Sequence, residues 1–200
     1  MISSIRRVVL ATGNEGKLAE IRQLLHGRDL EVVPQSEFDF LPAEETGSTF
    51  LENALLKARR AASETGLISI ADDSGLVVDA LDGEPGVFSA RFAGEDASDE
   101  QNVEKLLKAL DGVEERGACF RCVAVLVYPD EIKGPLTGEG EWRGSIATTR
   151  CGEGGFGYDP IFFDPGLGKC AAEMTAGEKN ARSHRGRAFR ELGGLLDGAF

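Results

Sequence analysis

Apolar positions along the chain switch period several times, and the switches delimit the elements. Ile5 to Thr12 is a β-branched apolar run closed by Thr-Gly-Asn, after which Leu18, Ile21, Leu24 and Leu25 fall on one helical face of a segment starting at Lys17. Glu31 to Val33 suits a short strand, and Pro34 to Gly47 is irregular and acidic. Thr49-x-x-Glu52 reads as a capping box for a helix reaching Thr65, with Phe50, Ala54, Leu55, Ala58 and Ala62 at helical spacing. A strand from Leu67 to Ala71 ends at Asp72-Asp73-Ser74-Gly75, and Leu76 to Val78 continues extended into a Gly/Pro-punctuated loop, Asp82 to Gly94. Ser98-x-x-Gln101 caps a helix to Leu110, Cys119 to Tyr128 is a long strand, and Pro129 to Pro135 forms a hairpin turn. Leu136 to Thr149 returns antiparallel, and the glycine-dense run from Gly152 leads into a short strand, Ile161 to Phe163. Glu178 to Ser183 and Arg185 to Leu196 close the chain as helices. This alternation predicts an α/β fold with a mixed sheet.

Two hundred residues make one domain, residues 1–200, with enough chain to bury a core. A hydrophobic fraction of 42% with 28% charged residues is globular, and 26 glycines without a repeat exclude collagen and coiled coil. The formal charge of −12 argues against a nucleic-acid-binding face, so any anionic ligand is held by local cations, backbone amides or a metal. No apolar run has the length of a signal-peptide core or of a membrane helix, which reads as a soluble, cytoplasmic protein. Cys119 and Cys122 lie three apart on a strand and point to opposite faces, so they do not converge on one ion, and Cys151 and Cys170 have no His at ligand spacing. All four are read as structural thiols, reduced in a cytosol.

Several segments carry candidate chemistry, each with a plainer alternative. Thr12-Gly13-Asn14-Glu15-Gly16-Lys17 joins a strand to a helix, a geometry in which backbone amides and the helix N-terminus attract phosphate. It is not a Walker A loop, and it is equally a simple turn with a surface lysine. Asp72 and Asp73 stand at the C-terminal end of the predicted strand, where α/β folds place ligands; successive residues point oppositely, one to a site and one to a structural partner. Glu44 and Glu45 are solvated loop carboxylates unless they share a divalent cation with Asp73. Asn53 and Lys57 share a helix face, and a buried lysine beside Asp73 would hold that carboxylate ionised. Phe156, Gly157, Tyr158 and Asp159 suit stacking on a planar base, or a plain hairpin, and Lys179, His184 and Arg185 gather cations in an acidic chain. His26 reads as a helix-terminal residue without a chemical role.

Taken together, these blocks resemble the inosine triphosphate pyrophosphatase family. The resemblance runs from Val8 to Leu192 through Ala11 to Lys17, Glu44 to Gly47, Thr49 to Ala58, Ala71 to Leu76, Pro85 to Arg91, Gly154 to Phe163 and Ser183 to Gly186. It implies an elongated α/β fold with two lobes around an active-site cleft, a homodimer, and Mg2+-dependent hydrolysis of dITP, ITP or XTP to monophosphate and pyrophosphate. It further implies that Thr12 to Lys17 hold the triphosphate, that Glu45 or Glu44 shares magnesium with Asp73, and that Asp73 is the general base with Lys57 beside it. Ser74 would contact substrate, Phe156 to Asp159 would cradle the base, and Lys179, His184 and Arg185 would contact base and phosphate, with Arg91 a further candidate. Cys170 stands where relatives often carry another small residue. The rival readings are a Maf-like pyrimidine nucleotide pyrophosphatase, a catalytically silent nucleotide-binding regulator and an RNA-binding protein. The Phe-Gly-Tyr-Asp and Ser-His-Arg blocks, the presence of Lys17, Lys57 and Asp73, and the charge weigh against the three in turn.

Overall fold

A computed structural model describes residues 6–130 and 133–196. The start of the first predicted strand at Ile5 and the middle of the predicted Pro129–Pro135 turn lie outside the described residues. In chain order the elements are β1 (Arg6–Leu10), α1 (Glu15–Leu24), β2 (Leu30–Pro34), α2 (Phe50–Thr65), β3 (Ile68–Val78), α3 (Asp99–Ala109), β4 (Gly117–Val127), β5 (Leu136–Ile146), β6 (Phe162–Asp164), β7 (Lys169–Cys170), α4 (Ala176–Arg182) and α5 (His184–Leu196). The strands form one seven-stranded sheet in the order β2-β1-β3-β4-β5-β6-β7. β1 pairs in parallel with β2 and β3, while β6 pairs antiparallel with β5 and β7, so the sheet is mixed as its sequence implies.

One boundary differs in a way that matters. Asp72 and Asp73 do not end a strand; β3 runs without interruption from Ile68 to Val78, and both acids lie inside it. Four polar residues in a row mimic a turn in sequence, but partners on both faces compensate the buried charge and the strand continues. The two-residue β7 gave no periodicity to read.

The chain divides into two compact units, one comprising Met1–Asp73, Cys122–Gly140 and Arg185–Phe200, the other Ser74–Arg121 and Glu141–His184. In the first, strand residues alternate between two cores. Val8 and Leu10 of β1, Ile70 of β3, and Cys122, Ala124 and Leu126 of β4 pack with Leu18 and Ile21 of α1 and Phe189 and Leu192 of α5. Val9, Ala71, Val123, Val125 and Val127 pack instead with Ala54, Ala58, Ala61 and Ala62 of α2. Both faces are covered, which is why these strands read as continuous apolar runs rather than as alternation. The small alanines let α2 approach the sheet closely.

The second unit has its own core, in which Val103 and Leu106 of α3 and Leu110 just past its end meet Leu76, Val78, Phe120, Trp142, Tyr158 and Phe162. Asp164 anchors its far strands: it accepts from Trp142 Nε1 at 2.8 Å, from Arg182 Nε at 2.7 Å and from the Gly166 amide at 2.7 Å. Burial opposes its ionisation, but Arg182, Trp142 and Gly166 outweigh it and lower the carboxyl to about 2. The folded value lies below the unfolded one, so this stabilisation is complete above the ordinary carboxylate pKa and is lost as pH falls through about 2. Asp164→Asn should therefore cost about 1–3 kcal/mol at neutral pH. Urea unfolding should show the gap from wild type narrowing between about pH 4 and the folded value; a gap that stays constant down to that acid limit would contradict the assignment.

Candidate active site

The site is built outward from β3. Asp72 follows Ile70 on the α1/α5 side of the sheet, and Asp73 follows Ala71 on the α2 side, because successive strand residues face opposite ways. Each acid therefore meets the cations of a different helix layer.

On the first side, Arg185 donates to Asp72 Oδ2 through Nε and Nη2, each at 3.2 Å, and through Nη1 to Glu20 Oε2 at 2.6 Å. Lys17 Nζ lies 3.5 Å from the same Asp72 oxygen. Burial disfavours the Asp72 carboxylate, yet Lys17 and Arg185 together hold it well below the usual carboxylate range. Asp72 Oδ1 is buried without a hydrogen-bond partner. Lys17 arrives here because Asn14 caps α1: its Oδ1 accepts from the Lys17 amide at 2.9 Å, and Thr12 Oγ1 accepts from the Asn14 amide at 3.2 Å. Gly13, Asn14 and Glu15 remain exposed at the helix N-terminus, with Thr12, Gly16 and Lys17 half-buried.

On the other side, Asp73 accepts from Asn53 Nδ2 at 3.2 Å and from Lys57 Nζ at 3.1 Å. Lys57 also donates to Glu45 Oε1 at 2.7 Å. The loop carrying Glu45 is tied to α2, since Asn53 Oδ1 accepts from the Gly47 amide at 2.7 Å and Glu52 Oε2 accepts from the Ser48 amide at 2.7 Å. A side-chain carbon at Gly47 would lie 2.6 Å from Asn53 Oδ1, so only glycine permits this approach. Of the two acidic candidates, Glu45 reaches Lys57 and Glu44 is exposed. Burial pushes the Asp73 carboxyl above its ordinary value, Lys57 and Lys17 offset this only in part, and the nearby charge of Glu45 adds to the rise. The Lys57 ammonium favours the charged form of Asp73, and burial works against it. Lys57 itself is opposed by burial but held protonated by Asp73 and Glu45.

The second unit holds the aromatic loop. Asp159 Oδ2 accepts from the Phe156 amide at 2.9 Å and from Lys179 Nζ at 2.5 Å, and that ammonium lies 4.8 Å from the centre of the Phe156 ring. Tyr158 points inward, its hydroxyl donating to the Ser89 carbonyl at 2.9 Å, and the Gly157 amide donates to Asp99 Oδ2 at 2.6 Å. His184 is buried with its ring stacked 4.7 Å from that of Phe120. Ser74 is half-buried beside Asp73 in β3. Arg91 pairs with Glu95 at 3.6 Å and lies over the Phe88 ring.

The structure brings Lys57 together with Asp73, Asn53 and Glu45, one of the two acidic candidates, and it buries the guanidinium of Arg185, expected at base and phosphate, against Asp72 and Glu20. Glu20 and Asp99 were missed; their only signal was three-residue spacing from Lys17 and a position directly after the Ser98 cap. Cys151 and Cys170, expected as reduced thiols, are joined as a disulfide. Folding brings the two segments side by side, which spacing along the chain does not reveal.

A family model described as the Ham1 family matches residues 8–194, nearly the whole chain. The chain belongs to the Ham1 family. Among Ham1-like relatives, the dITP/XTP pyrophosphatase of Yersinia pseudotuberculosis is 57% identical over 188 residues, 93% of this chain and 95% of that protein. The dITP/XTP pyrophosphatase of Methylococcus capsulatus is 54% identical over 193 residues, 96% of each. In structure, the chain resembles a HAM1 protein from Coxiella burnetii with a TM-score of 0.88 at 47% identity, covering 96% of this chain and 99% of that one. It also resembles the Ham1 protein of Staphylococcus aureus with a TM-score of 0.86 at 44% identity, covering 98% and 100%. The family resemblance and the α/β fold read from the motifs are thereby borne out. Among the described residues, no helix is long and apolar enough to cross a membrane.

Removing Asp72 alone should be costly, because Arg185 would keep its charge in the interior with Glu20 as its remaining anion. Asp72→Ala should lose about 3–5 kcal/mol of stability. A double variant, Asp72→Ala with Arg185→Met, should recover part of that loss in denaturant unfolding; strict additivity would contradict the pairing.

Proposed function

We propose that the chain hydrolyses deaminated purine nucleoside triphosphates, dITP, ITP and XTP, to the monophosphate and pyrophosphate, with Mg2+ as cofactor. The observation that carries this reading is the buried carboxylate of Asp73, held by Asn53 and Lys57 with Glu45 on the same ammonium. The relatives bearing the name dITP/XTP pyrophosphatase, at 54–57% identity over most of the chain, support it.

Hydrolysis at the α-phosphorus needs a base for water and positive charge for the phosphate oxygens. Asp73 takes the proton from the attacking water on a carboxylate oxygen. Lys57 and Asn53 fix the orientation of that carboxylate. The Thr12 to Lys17 loop offers the helix N-terminus and the Lys17 ammonium to the triphosphate. Glu45 and Asp73 form an all-oxygen donor pair that fits a hard cation, which usually takes one or two carboxylates and completes its shell from phosphate and water. Bound there, Mg2+ would neutralise charge developing on the phosphate oxygens.

The loop in the second unit takes the purine. Phe156 offers a ring face, Asp159 holds Lys179 beside it, and Ser74 and His184 complete the polar contacts. Donors aimed at a 6-oxo group disfavour adenine, whose amino group would leave them unpaired. Arg185 acts through Asp72 and Lys17 as a positioning residue. A cytoplasmic homodimer that clears the nucleotide pool belongs to the same reading and rests on the family resemblance.

Purified protein with magnesium should release pyrophosphate rapidly from dITP, ITP and XTP, and slowly from ATP, GTP and dTTP. Orthophosphate release or a pyrimidine preference would contradict the assignment. Asp73→Asn should lower kcat by roughly 10²–10⁴-fold with an unchanged circular dichroism spectrum, and near-normal turnover would remove Asp73 from the mechanism. Lys17→Ala should raise KM for dITP roughly tenfold, and unchanged kinetics would exclude the loop as a triphosphate site.

A further inference from the structure

Cys151 and Cys170 bracket the aromatic loop in an unusual way. Cys151 leads into residues 152–158, and Cys170 lies on β7, immediately before the segment that leads to α4 and Lys179. Their Cα atoms are 6.0 Å apart and the pair is joined as a disulfide. Backbone bonds stitch the same region independently: the Cys151 amide donates to the Pro160 carbonyl at 2.8 Å, and the Gly154 amide donates to the Ala172 carbonyl at 3.1 Å. The fit is close enough that a side-chain carbon at Gly152 would lie 2.7 Å from the Ala172 carbonyl carbon. Backbone hydrogen bonds thus hold the two segments together alongside the bond between the sulfurs. A reduced Cys151 also has an acceptor in place, the Pro160 carbonyl oxygen 3.4 Å from Sγ, so both redox states are accommodated.

The four cysteines differ in access. Cys119, Cys122 and Cys170 are buried, and burial pushes the thiols of Cys119 and Cys122 up, away from the reactive thiolate. Cys151 is half-exposed and is the natural entry point for exchange.

We propose that Cys151 and Cys170 form a reversible dithiol–disulfide modification site that sets the rigidity of residues 152–158 and, through them, the grip on the purine. The second half of this statement rests on the assignment of that loop to the base. In oxidation, the Cys151 thiolate attacks one sulfur of a small disulfide and expels one thiolate. Cys170 then attacks the mixed disulfide at the Cys151 sulfur and expels the second. Two protein thiols are oxidised, one small disulfide is reduced to two thiols, and the two protein protons pass to the leaving thiolates. A dithiol reverses the sequence. Closing the bond pre-organises the loop, and opening it returns conformational entropy that substrate binding must then remove.

The test uses the full chain after equilibration with oxidised glutathione or with dithiothreitol. Thiol titration in denaturant should count two thiols in the oxidised form, Cys119 and Cys122, and four in the reduced form. Hydrogen exchange of residues 152–158 should be slower when oxidised. Reduction should raise KM for dITP roughly three- to tenfold while leaving kcat within about twofold. Cys151→Ala, which removes the entry thiol and leaves buried ones, should behave as reduced wild type and ignore the oxidant, whereas Cys119→Ser should respond as wild type does. Four titratable thiols after oxidation, or equal loop exchange in both states, would overturn the modification site. Altered thiols and exchange with an unchanged KM would overturn its link to the purine. Failure of the functional reading is distinguishable, since it would appear as no turnover of dITP in either redox state.

Discussion

Adjacent carboxylates in the middle of a buried strand impose a strict demand. Alternation sends Asp72 and Asp73 to opposite faces of the sheet, so each needs its own compensation from the helices packed there. Lys17 and Arg185, from α1 and α5, answer Asp72; Asn53 and Lys57, both on α2, answer Asp73. The packing of three helices is thereby coupled to two side chains, and the ends of α1 and α2 that carry the candidate chemistry are fixed relative to β3.

The two acids use this arrangement differently. Asp72 is overcompensated by two cations, stays ionised and serves to position Lys17 and Arg185. Asp73 is undercompensated: burial prevails over Lys57 and Lys17, and the nearby charge of Glu45 adds to the rise. A carboxyl raised by burial next to a fully ionised, structural carboxylate is a difference set by surroundings, since the two residues are chemically identical.

Much of this was legible in the sequence. The starts of α2 and α3 followed from caps at Thr49 and Ser98, each of which accepts from the amide three residues on. Alternation along β3 already implied that one acid serves structure and the other chemistry. What was not legible depends on contacts between distant segments. The continuity of β3 through its polar residues follows from cations supplied elsewhere in the chain, and the burial of Arg185 requires Glu20, which is 165 residues away. The approach of Cys151 to Cys170 is likewise a product of folding; in sequence the two are only a spaced pair without a histidine.

The central proposal is that water attacks the α-phosphorus of a deaminated purine nucleoside triphosphate. Hydrolysis of dITP in water enriched in oxygen-18, with mass analysis of both products, tests it most directly. The account predicts one labelled oxygen in the monophosphate and none in the pyrophosphate. Label in pyrophosphate or in orthophosphate would contradict it, because the attack would then fall on a different phosphorus.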